Sequence, residues 1–219
     1  MVNVLTLDIV SDVICPWCWI GKRRLERALA DEAEAAARLD IRWRPWQLAP
    51  GLPAEGIDRR AYYARKFPDP EQRRRIEERL LDEGRSVGIT FAFEWIERVP
   101  DTFDAHRLIR WAASAGCQPA VVEALFAAYF THGRNLGSRK VLLEVAAECG
   151  MDAELVARLF AEDRDRDLVT REIAAATEMG ISGVPTFIFA GRYALQGAQP
   201  SATFRDILHR IEGTGMMAG

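Results

Sequence analysis

The sequence predicts an α/β fold whose sheet-forming parts are separated by a long helical insertion. Three observations predict it: a strand–helix–strand pattern over residues 1–49, a run of capped helices over residues 50–163, and a helix–strand–strand–helix pattern over residues 164–219. A chain of 219 residues, 49% of them hydrophobic, can bury one large core or two modest ones.

Residues 4–10 are an apolar-dominated run of strand length, with Leu5, Leu7 and Ile9 on one face and Val4, Thr6, Asp8 and Val10 on the other. The chain passes through Ser11-Asp12-Val13-Ile14 into Cys15-Pro16-Trp17-Cys18. From Pro16 it reads as a helix, with Leu25, Ala28, Leu29 and Glu32 at helical spacing. Ile41-Arg42-Trp43-Arg44 alternates at period two and stops at Pro45, which suits a second strand, parallel to the first across a βαβ crossover. A C-x-x-C motif thereby sits at the strand-to-helix turn of that unit.

Residues 50–163 read as helix after helix. Asp101-Thr102-Phe103-Asp104 can cap a helix running to about Ala115, Pro119 suits the first turn of the next, Ser138 can cap one that ends at Gly150, and Asp152 can cap a fourth. Residues 59–85 are strongly charged, but Arg73-Arg74-Arg75 is interleaved with acids such as Glu77-Glu78. Mixed signs at this spacing read as a solvated helix face. Beyond the insertion, residues 168–179 form a helix ended by Gly180, residues 185–190 a strand, Gly191-Arg192 a turn and residues 193–196 a partner strand. Pro200 opens a last helix with Phe204, Ile207, Leu208 and Ile211 on one stripe, followed by a soft tail at residues 213–219. Without the insertion the order is βαβ–αββα, that of a thioredoxin fold.

Lys and Arg number 29 against 32 Asp and Glu, and the net charge of −3 gives no reason to expect nucleic acid or an acidic membrane as partner. The first residues lack a basic run followed by an apolar stretch, and no segment approaches the ~20 apolar residues of a membrane span. A cytoplasmic location is the expectation. There, four cysteines do not form a structural disulfide framework. Cys117 and Cys149, isolated in helical surroundings, read as buried small hydrophobes.

The thiolate is the species that attacks a disulfide, and Cys15 at a helix N-terminus faces unpaired N–H groups and the positive end of the helix dipole. Cys18, one turn on, can reach the Cys15 sulfur while staying more buried, so it can resolve a mixed disulfide. Trp17 is expected to be exposed at the turn and to offer an apolar contact to an unfolded substrate; Trp19 and Ile20 read as core. Zinc competes for any C-x-x-C, but it needs four ligands, and Cys117, Cys149, His106, His132 and His209 form no pair at ligand spacing. No metal is expected. Far away, Gly183-Val184-Pro185-Thr186-Phe187 places proline at a strand start. Alone, it reads equally as a trans edge proline or a cis turn; with the cysteine motif, the cis reading gains.

The stretch Ser11-Asp12-Val13-Ile14-Cys15-Pro16-Trp17-Cys18-Trp19-Ile20-Gly21-Lys22-Arg23-Arg24 resembles the start of the FrnE type within the DsbA-like branch of the thioredoxin superfamily. Asp101-Thr102-Phe103-Asp104-Ala105-His106-Arg107-Leu108, Gly183-Val184-Pro185-Thr186-Phe187 and Gly197-Ala198-Gln199-Pro200 resemble later blocks of that type. The resemblance implies a thioredoxin-like domain made of residues 1–49 and 164–219 and an inserted all-helical domain of residues 50–163. It also implies Cys15 as nucleophile, Cys18 as resolving thiol, and a cis Val184-Pro185 peptide whose Val184 backbone meets an extended substrate. Pro16 and Trp17 complete the active-site turn, and His106 reads as a satisfied structural histidine.

The same branch holds kappa-class glutathione transferases and 2-hydroxychromene-2-carboxylate isomerases, which typically carry serine where this chain has Cys15. The expected activity is that of a protein dithiol–disulfide oxidoreductase or isomerase, with no permanently bound cofactor beyond the redox-active Cys15–Cys18 pair. Its partners would be disulfide-containing or unfolded proteins and a thiol redox partner, with glutathione as reductant or co-substrate; a homodimer follows by analogy only. The rivals are a glutathione-dependent isomerase or transferase acting on a small aromatic substrate, and a non-catalytic holdase.

Overall fold

The computed structural model describes residues 4–213. In chain order they form β1 (Leu5–Ser11), α1 (Pro16–Asp31), α2 (Ala33–Ala36), β2 (Leu39–Pro45), β3 (Ile57–Asp58), α3 (Arg59–Lys66), α4 (Pro70–Ser86) and a 3₁₀ turn (Phe93–Trp95). There follow β4 (Arg98–Val99), α5 (Phe103–Ser114), α6 (Gln118–Phe130), α7 (Arg139–Glu148), α8 (Ala153–Ala161), α9 (Arg166–Glu178), β5 (Thr186–Phe189), β6 (Tyr193–Gln196) and α10 (Ser201–Gly213).

The main sheet has the order β2-β1-β5-β6. β1 lies parallel to β2, pairing Leu7 with Ile41 and Ile9 with Trp43, and antiparallel to β5, pairing Ile9 with Phe187. β1 is hydrogen-bonded along both edges and buries Leu7, Ile9 and Val10, while its Asp8 pairs with Arg44 of the neighbouring β2. The β5–β6 connection places Ala190 and Gly191 both at positive φ, the geometry of a tight hairpin turn. Phe204 of α10 meets Phe187 edge to face with centroids 4.8 Å apart, and Leu208 and Ile211 complete that buried stripe.

The insertion docks through aromatic rings. Trp19 of α1 packs against Phe126 at 5.9 Å and Phe130 at 6.1 Å, both from α6, and meets Phe91 edge-on at 5.7 Å. The two parts therefore share one continuous core. The helices begin where capping chemistry allows: Asp101 Oδ1 accepts from Phe103 N ahead of α5, Pro119 lies in the first turn of α6, and Asp152 accepts from Leu155 N at α8.

Several expectations need correction. The insertion is not all helical, because β3 and β4 form an antiparallel ladder pairing Ile57 with Val99 and Asp58 with Arg98. Strands of two residues carry no readable alternation. Gly56 makes the approach possible, since a Cβ there would stand 2.3 Å from the Val99 carbonyl oxygen. α1 ends at Asp31, so Glu32 is its C-cap and not part of its stripe, and the separate turn α2 follows. β1 and β2 extend over Leu5–Ser11 and Leu39–Pro45. Of the tail, residues 214–219 lie outside the described residues.

Candidate active site

Cys15 is the N-cap residue of α1, with extended backbone (φ −96°, ψ 111°) and Pro16 in the first helical turn. Its N–H donates to the Asp12 carbonyl at 3.0 Å, and Cys18 N–H donates to the Cys15 carbonyl at 3.0 Å, so the motif is wound tightly onto the end of β1. The Val184-Pro185 peptide is cis, and its turn brings the Val184 carbonyl oxygen 3.7 Å from the Cys15 sulfur. The Cys15 side chain makes no hydrogen bond to the first-turn N–H groups of α1. In the reduced protein the thiol is directed across to the proline turn instead.

That turn is held from several sides. Pro185 O accepts from Gly197 N at 2.7 Å, and Thr186 Oγ1 donates to Gly183 O at 2.8 Å. Arg24 of α1 reaches over to donate to Ala198 O at 2.6 Å while pairing with Glu83. Helix and turn approach so closely at Gly21 that a Cβ there would stand 3.1 Å from both Pro185 Cγ and Phe187 Cζ. Glycine at this point lets α1 lie against the strand that carries the proline.

Both cysteines are free thiols and both are buried, Cys15 at 4% and Cys18 at 1% exposure. Cys18 is the more deeply buried of the two, as expected, but by a small margin, because the Val184-Pro185 turn lies against Cys15. Burial pushes the Cys18 thiol well above its ordinary value, and the hydrogen bond and charge of Cys15 act in the same direction. Hydrogen bonds from the Ser11 side chain and the Asp12 backbone oppose that shift without reversing it.

The family model of the DSBA-like thioredoxin domain matches residues 6–209. The chain belongs to that family. Among solved structures it is similar to a protein described as a probable DsbA oxidoreductase from Streptomyces coelicolor, with 29% identity, a TM-score of 0.87, and 95% of this chain and 90% of that one covered. It shares its fold with the cytosolic disulfide reductase DsbM from Pseudomonas aeruginosa, solved with GSH, at 22% identity and a TM-score of 0.67 over 95% and 99% of the two chains. The Bacillus subtilis protein YwbO is 23% identical over 203 residues, 92% of this chain and 94% of its own.

Around the cysteines, this DsbA-like chain departs from its sequence reading at several side chains. Trp17 is half-buried, not exposed, because Arg79 of α4 lies over its ring at 5.2 Å. Cys117 and Cys149 are half-buried, and burial raises the Cys149 thiol above its ordinary value. Trp19 and Ile20, by contrast, are core as their sequence reading has them. His106 is buried, its Nε2 2.7 Å from Trp46 O; a carbonyl only accepts, so that nitrogen carries a proton. No helix among the described residues is long and apolar enough to cross a membrane.

Two features escaped the sequence reading. Asp12 is completely buried beside the motif: Oδ2 accepts from Leu48 N at 2.7 Å, while Oδ1 has no hydrogen bond among the described residues and lies 3.5 Å from His106 Nε2. A lone charge inside the apolar run around it was the available signal. The second is a cavity of about 470 Å³ that is lined in part by Pro16 and walled by α3, α4 and α6. Its floor includes Tyr63, whose hydroxyl burial pushes up to about 12 against the opposing charge of Arg59. Residues 59–85 thus present a solvated face on one side only; Arg59 and Arg73 line this cavity.

Proposed function

We propose that this chain is a protein dithiol–disulfide oxidoreductase or isomerase of the FrnE type. The observation that carries the reading is the Cys15 thiol set against the Val184 carbonyl with the more deeply buried Cys18 behind it. An extended substrate strand that pairs with the Val184 backbone would bring its disulfide to the Cys15 sulfur, replacing the contact the thiol makes in the free protein. Cys15 thiolate attacks one substrate sulfur, forming a mixed disulfide, and the other substrate sulfur leaves as a thiolate that takes up a proton. Cys18 then loses its proton and attacks the Cys15 sulfur, releasing the second substrate thiol and leaving Cys15–Cys18 oxidised. Two electrons pass from the dithiol to the substrate; the reverse sequence oxidises a substrate dithiol.

Resetting the pair needs an external thiol. Glutathione is the reductant we infer, and a disulfide reductase of the same fold has been solved with it. The reading places the protein in the cytoplasm with unfolded or disulfide-bearing proteins as substrates. A second reading, glutathione-dependent isomerisation or transfer on a small aromatic molecule, draws on the cavity beside Pro16, whose volume suits a ligand of that size.

Turnover of insulin disulfides with glutathione as reductant tests the first reading. The native chain is expected to accelerate reduction and Cys15→Ser to fall to the uncatalysed rate. Equal rates for the two proteins would count against it. Glutathione-dependent turnover of an aromatic substrate that survives in Cys18→Ser would favour the second reading.

A further inference from the structure

The cavity beside Pro16 carries a charge pattern that a purely apolar substrate groove would not have. Arg59 is held by ring faces, its guanidinium 4.9 Å from the Tyr63 centroid and 5.5 Å from that of Phe93. Its nearest carboxylate is Glu77 at 3.9 Å, beyond hydrogen-bond reach, and its side chain makes no hydrogen bond among the described residues. Arg73 is half-buried in the same wall without an ion pair or side-chain hydrogen bond among those residues, and exposed Arg60 stands likewise. Arg74 and Glu78, also on this wall, pair with each other at 3.2 Å. Three guanidiniums are left facing one carboxylate, Glu77.

An arginine fixed by aromatic faces keeps its N–H edge free for a planar oxyanion, which it binds in bidentate fashion. Here that edge borders an apolar hollow whose lining includes Pro16, the residue after the attacking cysteine. We propose that the cavity is a specificity site for acidic peptide segments: it selects disulfide substrates whose reactive cysteine is flanked by a glutamate or aspartate together with an apolar side chain. Arg59 and Arg73 take the carboxylate, and Tyr63, Phe93 and Phe130 take the apolar group. This inference rests on the oxidoreductase reading above. The whole chain carries a net charge of −3, so unspecific electrostatics would favour basic peptides. A preference for acidic ones is therefore diagnostic of a local site.

The test uses synthetic peptides of one sequence, differing only in whether glutamate, glutamine or lysine flanks a single cysteine, each activated as its 2-thiopyridyl mixed disulfide. Attack by Cys15 on the peptide sulfur releases pyridine-2-thione, which is followed by absorbance, and Cys18 then releases the peptide thiol. The reduced full chain is expected to react about tenfold faster with the glutamate peptide than with the glutamine one at low salt, a ratio that shrinks as salt screens the contact. The ratio should fall to about one in the Arg59→Gln/Arg73→Gln double variant and in part in Arg73→Gln, which removes a side chain that makes no ion pair or hydrogen bond among the described residues. Arg205→Gln, the same charge change on α10, should leave the ratio as it is. A native ratio near one, a preference for lysine, or a ratio unchanged in the double variant would overturn the specificity site. Release from none of the three peptides would overturn the oxidoreductase reading itself.

Discussion

A buried thiol is a poor nucleophile until it loses its proton, and Cys18 is held against that loss by burial and by its neighbour Cys15. The resolving step is therefore expected to accelerate as pH rises through and beyond the ordinary cysteine value. The same shift acts on folding. Because the folded state holds the proton more tightly, the unfolded chain ionises first; the contribution of Cys18 is full below the ordinary value of 9.0 and is lost as pH rises toward the raised folded value. Urea unfolding of the reduced protein from about pH 7 to about pH 10.5 checks this, since the native chain should lose more stability over that span than Cys18→Ala. Parallel slopes would contradict it. Gly21 offers a second test at this scale: Gly21→Val forces a side chain against Pro185 and Phe187, which should cost about 1–3 kcal/mol of stability and displace the proline turn from Cys15. Urea midpoints and the rate of Cys15 alkylation report the two effects separately.

Between elements, the contact that matters most to the site joins α1 to α6. Glu123 of α6 accepts from Trp19 Nε1 at 3.1 Å, from Lys22 Nζ at 2.6 Å and from Arg23 Nη2 at 2.5 Å, and the Lys22 side chain is only 5% exposed. Removing one partner of so buried a pair leaves an ammonium without full compensation. Glu123→Ala should cost about 3 kcal/mol, near the lower end for a buried pair because Glu26 still reaches Lys22. Adding Lys22→Met should restore part of the loss, and a double-mutant cycle in urea measures the coupling. This clamp shows what a linear reading can and cannot find. α1, α5, α6 and the β5–β6 hairpin were legible because their caps, apolar spacing and turn residues are local. The β3–β4 ladder was not, since two residues have no period. Nor were Asp12 with His106, or the cavity arginines: each owes its setting to an element distant in sequence, and Arg73 on paper looks the same as its solvated neighbours.

Across the whole molecule, a helical insertion packed on α1 and a sheet that returns through Val184-Pro185 close on one point, the sulfur of Cys15. The motif and the proline turn were legible as residues; that they meet is a property of the sheet order, in which β5 lies directly beside β1. Under the proposed reaction the two thiols carry unequal tasks in this common setting, attack by Cys15 and release by Cys18. Incubating the reduced single variants with a peptide disulfide and weighing the products intact tests that assignment most directly. Cys18→Ser is predicted to accumulate a covalent adduct with the peptide that maps to Cys15 and is discharged by dithiothreitol, while Cys15→Ser accumulates almost none. Equal trapping by both variants, or an adduct on Cys18, would contradict it.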